Sequence, residues 1–195
     1  MREKIDAFKA HVKEASANPE FVHHKWFVKW HLEIVARIAL ELCDHYPQAD
    51  RNLVEVMAWM HDYGKILDFD HEYETTLIES PKILAKLGFP TEVARKTVDY
   101  IKILDKKLEL DLHDAPIEVQ IVSSADGCSH MVGPFLQLWW YEHADRSFED
   151  LMANNRAKID KDWNRKIVLP EARRAFEQRY KFVLEQSGDL PPKFL

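Results

Sequence analysis

The sequence predicts an all-α fold, a helical bundle forming a single domain over residues 1–195. Two observations carry that prediction. Apolar residues recur every three to four positions along nearly the whole chain, the period of an amphipathic helix. Glycine is scarce, at 5 in 195 residues, β-branched runs are few, and Leu, Ala, Lys and Glu abound, a balance that favours helices over sheets.

Ile5, Phe8, Val12 and Ala15 mark a first amphipathic helix, broken at Asn18-Pro19. A second runs from about Glu20 to Cys43 with Phe27, Trp30, Ile34, Val35, Ile38 and Leu42 on its apolar stripe, until Tyr46-Pro47 ends the region. Asp50 can cap a third helix carrying Leu53, Val56, Met57 and Met60, and Gly64 can close it. Past the polar LDFDHE, a fourth helix uses Leu77, Ile78, Ile83, Leu84 and Leu87 before GFPT stops it. Thr91 can cap a fifth, with Ala94, Thr97, Val98, Ile101 and Leu104 at helical spacing. The charged connection DKKLELDLHDAP follows, and Pro116 opens a sixth helix through Ile117, Ile121, Val122 and Ala125. Gly133-Pro134 precedes FLQLWWYEHA, Ser147 with Asp150 resembles a helix start, and Pro170-Glu171 opens a last helix to about Gln186.

Composition narrows the function classes. A hydrophobic share of 46% in 195 residues suits a sizeable core and argues against wholesale disorder. A formal charge of −6 argues against a nucleic-acid polymer as partner. It leaves room for a small phosphorylated substrate, because a bound cation reverses the local field. Cys43 and Cys128 are too few for a disulfide framework and read as reduced thiols. The N-terminal MREKIDAFKAHVKEASA lacks the apolar core of a signal peptide, and no stretch approaches the roughly 18 apolar residues of a membrane span. A cytoplasmic protein without a membrane partner is expected.

The chemistry concentrates where MAWMHDYGK runs from apolar residues into His61-Asp62. With ten His in the chain, a His beside an Asp is expected somewhere by chance, and alone the pair reads as a helix end facing water. Two further residues change the balance. His31 stands in the apolar KWHLEIVARIAL, and Asp126 in the buried-looking VQIVSSADGCSHM. A buried imidazole or carboxylate without a partner is expensive, so such groups are paired or metal-bound.

Taken in order, His31, then His61-Asp62 followed by Tyr63-Gly64-Lys65, then Asp126 after a small residue, resemble the H…HD…D pattern of the HD-domain superfamily of metal-dependent phosphohydrolases. HLEIVARIALEL is similar to the family's first motif helix, VEVMAWMHDYGK to its second and IVSSADGC to its last, over roughly residues 22–133. The resemblance implies an HD-type helical bundle, with C-terminal helices over about 134–186 and a loose tail at 187–195. It implies that His31, His61, Asp62 and Asp126 bind one divalent metal ion. Two imidazoles and two carboxylates suit Mn, Fe, Ni, Co or Zn better than Mg.

The implied activity is hydrolysis of a small phosphorylated molecule, with nucleotides among the candidates, by a metal-activated water. Asp62 and Asp126 would help take the proton. His71 would orient phosphate or protonate a leaving group, or else be an exposed loop residue; Lys65 would offset phosphate charge, or simply sit solvated at a helix end. The alternative function is a non-catalytic helical module that keeps the metal for ligand binding. Relatives with two more histidines before the last motif bind a second metal; KTVDYIKILDKK has Asp99 and Asp105 instead, which favours one ion. His130 reads as a helix-face residue that could instead line the pocket. His23, His24 and Trp26, or Trp139-Trp140-Tyr141 with His143, could stack on a base, though core packing is the simpler reading. RAKIDKDWNRK reads as a solvated face.

Overall fold

A computed structural model describes residues 1–106 and 109–193, and the regular structure among them is helical throughout. Lys107 and Leu108 of the charged connection, and Phe194 and Leu195 of the tail, lie outside the described residues. Helix α1 (Arg2–Ser16) buries Ile5, Phe8 and Val12, the stripe its sequence marks.

The second helix departs from expectation. Residues 19–26 form turns, helical winding starts at Phe27, and a π turn over Val28–Leu32 leads into α2 (Glu33–Cys43). Tertiary contacts outweigh helix propensity here. His23 Nδ1 and Trp26 Nε1 both reach the Glu142 carboxylate, at 2.8 and 2.6 Å, and Phe21 packs edge-on against Phe27. The π turn holds His31, and such turns recur where a helix must aim a functional side chain.

Helix α3 (Arg51–Met60) starts as expected, with the Asp50 carboxylate accepting from the Asn52 and Leu53 N–H groups, and every residue from Leu53 to Met60 is buried. Gly64 does not close it. The chain restarts as α4 (Tyr63–Leu67), so Gly64 is helical, and its role is close approach to α5 (Glu72–Lys86). A Cβ there would collide with the Glu72 carbonyl and the Thr76 backbone nitrogen. Thr91 is likewise not a cap: it is the first residue of α6 (Thr91–Asp105), and Pro90 takes the cap position.

Helix α7 (Ile117–Ser129) runs on past Ala125 and is buried from Ile121 to Ser129, the mark of a helix surrounded on all sides. It packs against α2 and α3. Beyond it come α8 (Phe135–Glu142), α9 (Phe148–Lys161), a π turn over Asp162–Lys166, and α10 (Pro170–Gln186). Ser147 caps α9 through the Asp150 N–H, as its sequence suggests. The buried apolar cluster draws on residues from Ile5 to Val183. Cys43 and Cys128 are free and buried. No helix of the described residues is long and apolar enough to cross a membrane.

The small residues of SSADGC explain how the C-terminal part docks. Ser123 Oγ donates to the Lys166 carbonyl at 3.0 Å, and Ser124 Oγ accepts from the Val168 and Leu169 N–H groups at 3.1 and 3.2 Å. A Cβ on Gly127 would stand 2.8 Å from Ile167 Cγ1. The chain therefore lies flat on α7, and one side of the stretch expected as a solvated face turns inward, Asp162 at 0% and Lys166 at 5% exposed, while Arg156, Lys161 and Arg165 stay at the surface.

Candidate metal centre

The π turn before α2 supplies His31, the carbonyl end of α3 supplies His61 and Asp62, and the middle of α7 supplies Asp126. Their polar atoms converge. His31 Nε2 lies 3.2 Å from Asp62 Oδ2 and 3.9 Å from Asp126 Oδ1; His61 Nε2 lies 3.6 and 3.8 Å from the same two oxygens. With metal–ligand bonds of about 2.0–2.2 Å, atoms sharing one ion stand roughly 3–4.3 Å apart, so these spacings fit. The four line a cavity of about 270 Å³.

Protonation follows from the hydrogen bonds. The Ala58 carbonyl can only accept, so its 2.9 Å contact with His61 Nδ1 places the ring proton on Nδ1. Ser129 Oγ spends its proton on the Asp126 carbonyl at 2.7 Å, so it accepts from His31 Nδ1 at 3.2 Å. In the Nδ1–H tautomer of each ring, Nε2 then carries a lone pair aimed at carboxylate oxygens. His61 Nε2 is buried and has no hydrogen-bond partner among the described residues. Lone pair against anion is repulsive, and a cation between them reverses the sign. A helix C-terminus adds partial negative charge beside His61-Asp62, which favours a cation further.

Burial lowers the pKa of His31 despite Asp62 and Asp126, which keeps its ring neutral. Burial alone would raise the Asp62 carboxyl, but neighbouring positive charge, Lys65 foremost, outweighs it and holds it well below the usual carboxylate range. Lys65 lies at the cavity, 3.0 Å from Asp62 Oδ2 and 3.3 Å from Glu72. Burial would lower its ammonium, but those carboxylates more than compensate and raise it.

His71 is not brought to the site. Its side chain is 71% exposed, its Nδ1 sits 3.1 Å from Asp68, and it is not among the residues lining the cavity, as the exposed-loop reading has it. A position in the polar segment after α4 gives it no wall to pack against. Asp99 is on an exposed face, 3.0 Å from Arg95, whereas Asp105 lines the cavity. His23, Trp26, Phe27 and Phe135 form its aromatic side; Trp139, Trp140 and Tyr141 are not in the lining.

Sequence reasoning undervalued His130 and missed Lys158, Asp162 and Lys166. His130 is buried at the end of α7, its Nε2 3.4 Å from Asp126 Oδ1 and its Nδ1 2.7 Å from Asp162. Lys166 reaches Asp126 Oδ2 at 2.8 Å and Asp162 at 3.1 Å; Lys158 reaches Asp162 at 2.9 Å. Burial and Lys158 push His130 down to about 3, and burial with Lys166 pushes Lys158 down to about 7. A usable signal existed: Asp126 and His130 are four apart, as are Lys158, Asp162 and Lys166, which sets each group on one helix face.

Residues 30–131 match the HD domain family. The 3'-5' exoribonuclease YhaM of Listeria welshimeri serovar 6b is 26% identical over 94 residues, covering 47% of this chain and 30% of that protein. The chain thus spans less than a third of that relative's length. No solved structure matches. The family match holds His31, His61, Asp62, Asp126 and His130 and ends before Lys158. With just over half of its 195 residues in that match, the chain belongs to the HD-domain superfamily of metal-dependent phosphohydrolases.

Proposed function

We propose that the protein hydrolyses a small phosphorylated molecule, a nucleotide being the expected class, with one divalent ion held by His31, His61, Asp62 and Asp126. The observation that carries this reading is the buried His61 Nε2, facing two carboxylates and without a hydrogen-bond donor or acceptor of its own among the described residues. A divalent ion bound there supplies Lewis acidity toward a phosphoryl oxygen and lowers the pKa of a water.

The chain's own residues supply the rest. Lys65 on one wall and Lys158 and Lys161 on another set positive charge around an entering phosphate, against the net −6 of the whole chain. Asp62, kept ionised by Lys65, and Asp126 are carboxylates at the metal cluster able to accept a proton. Trp26, Phe27 and Phe135 give the cavity an apolar aromatic lining against which a base can pack. The exoribonuclease relative gives a specific reason to keep a phosphodiester in view, as a second reading.

The test is phosphate release from nucleoside phosphates, sugar phosphates and a short oligoribonucleotide, with Mn²⁺, Ni²⁺ or Co²⁺ added or withheld. Wild type is expected to carry about one divalent ion per chain and to release phosphate only when loaded. Asp62→Ala loses both ion and turnover, while His71→Ala, altered at an exposed loop, keeps both. Metal binding without release from any member of the panel would leave the non-catalytic module.

A further inference from the structure

We infer that His130 is a fifth protein ligand of the divalent ion and that Asp162 is the residue that orients it; the inference rests on the metal reading above. His130 lies one turn past Asp126 on α7, 5% exposed, with its ring stacked on His31 at 5.2 Å and 7° between planes. Its Nδ1 stands 2.7 Å from Asp162 Oδ2. A carboxylate only accepts, and two acceptors do not approach so closely, so the ring proton is on Nδ1.

Lys158 Nζ also comes within 2.8 Å of that nitrogen, but its protons have acceptors in both Asp162 oxygens, at 2.9 and 3.2 Å. Asp162 is thus the acceptor on which both groups converge. In the neutral ring, Nε2 then presents a lone pair 3.4 Å from Asp126 Oδ1. This repeats the acceptor-on-acceptor contact seen at His61.

Lys166 fixes how Asp126 is turned. It occupies Asp126 Oδ2 at 2.8 Å and so turns Oδ1 toward the cluster. Nε2 of His31, His61 and His130 lies 3.9, 3.8 and 3.4 Å from that one oxygen. Asp162, 0% exposed and held by two lysines, is a rigid support of the kind that fixes the tautomer of a ligating imidazole. It lies beyond residues 30–131, so the C-terminal segment would finish a centre that the family region begins. Three imidazoles and two carboxylates also move the preference further toward Fe²⁺, Co²⁺, Ni²⁺ or Zn²⁺ and away from Mg²⁺.

The experiment loads the full chain with Co²⁺. Proton NMR of the wild type should show three hyperfine-shifted, solvent-exchangeable imidazole N–H signals, one each from His31, His61 and His130. Two signals would overturn the inference and leave the four-residue site intact; no signal and no Co²⁺ uptake would overturn both. Equilibrium titration gives a second readout. His130→Gln should bind Co²⁺ at least about 10-fold more weakly, with altered visible absorption at saturation. Asp162→Asn should weaken binding while keeping three N–H signals, the His130 signal shifted. Unchanged affinity and absorption in His130→Gln would remove His130 from the ligand set. The three-signal count needs no variant to fold.

Discussion

Two polar clusters buried beside α7 meet the cost of burial in different ways. Around Asp162, the ammonium groups of Lys158 and Lys166 and the ring proton of His130 all bind the carboxylate, at 2.7–3.2 Å. That cluster carries its own counter-charge. Around Asp62 and Asp126, Lys65 and Lys166 each take one oxygen, but the histidine nitrogens bring lone pairs toward the carboxylates rather than protons. Burying charge is expensive in either case. Where side chains supply both signs, the cluster is part of the scaffold; where lone pairs face anions, it is set for a cation from outside.

The comparison breaks first at Asp162. Asp162→Ala removes the acceptor shared by Lys158, Lys166 and His130, leaving Lys166 with Asp126 alone and Lys158 without a carboxylate, which should cost about 3–5 kcal/mol in chemical unfolding, with or without divalent ion. Asp62→Asn is the counterpart. It removes a carboxylate paired with Lys65, so it should cost some stability in metal-free buffer, less than Asp162→Ala, and abolish the gain that wild type shows on adding Ni²⁺ or Mn²⁺. That gain is about 2.7 kcal/mol when free ion is at 100-fold its Kd. If Asp162→Ala unfolds no more easily than wild type in metal-free buffer, the two clusters do not differ as described.

A smaller perturbation tests the contact between them. Gly127 sits under the strand of chain that carries Lys166, where an added Cβ would stand 2.8 Å from Ile167 Cγ1 and 3.1 Å from Lys166 Cβ. Gly127→Ala should cost about 1–3 kcal/mol as the segment is pushed outward. It should also weaken Ni²⁺ binding, since Lys166 holds the unused oxygen of Asp126. A stability loss with unchanged ion affinity would show that Asp126 keeps its orientation without Lys166.

The same contrast explains what the sequence revealed. The helices were legible because each buries a face at helical period, and Asp50, Ser147 and Pro170 mark starts through local chemistry. His31, His61, Asp62 and Asp126 stood out as polar residues in apolar surroundings, a pattern written along the chain. Lys158, Asp162 and Lys166 did not, because a charge in a charged stretch looks solvated until something covers it. What covers them is α7, through Ser123, Ser124 and Gly127, and no local pattern announces that long-range fit. The turns at 19–26 were hidden for the same reason, since Glu142 that ties them is more than a hundred residues away. Gly64 departs in the other direction, a glycine demanded by helix contact where a helix stop is expected, while His71 fits the exposed-loop reading of the two the sequence offers.

The smallest effect is expected at Glu55, which lies on α3, the helix that leads into His61 and Asp62, but resembles Asp162 in its charge balance. Its carboxylate is 4% exposed and takes Arg2 at 2.7 Å and Lys9 at 3.0 Å, both from α1. Burial alone would raise its pKa; the hydrogen bonds from Arg2 and Lys9, with their charges, outweigh that and leave it lowered. A carboxyl whose folded pKa lies below its unfolded value adds stability above the unfolded pKa, and loses it as pH falls through the folded one. Glu55→Gln should therefore be less stable than wild type at pH 7 by about 1 kcal/mol, the scale of a pair with one partner half in water. The gap should hold down to the unfolded glutamate pKa of about 4.3 and close below it, read from unfolding curves at a series of pH values in metal-free buffer. A gap of equal size at pH 7 and at strongly acid pH would assign the loss to packing, and Glu55 would then no longer stand with Asp162 as a carboxylate whose counter-charge the fold provides.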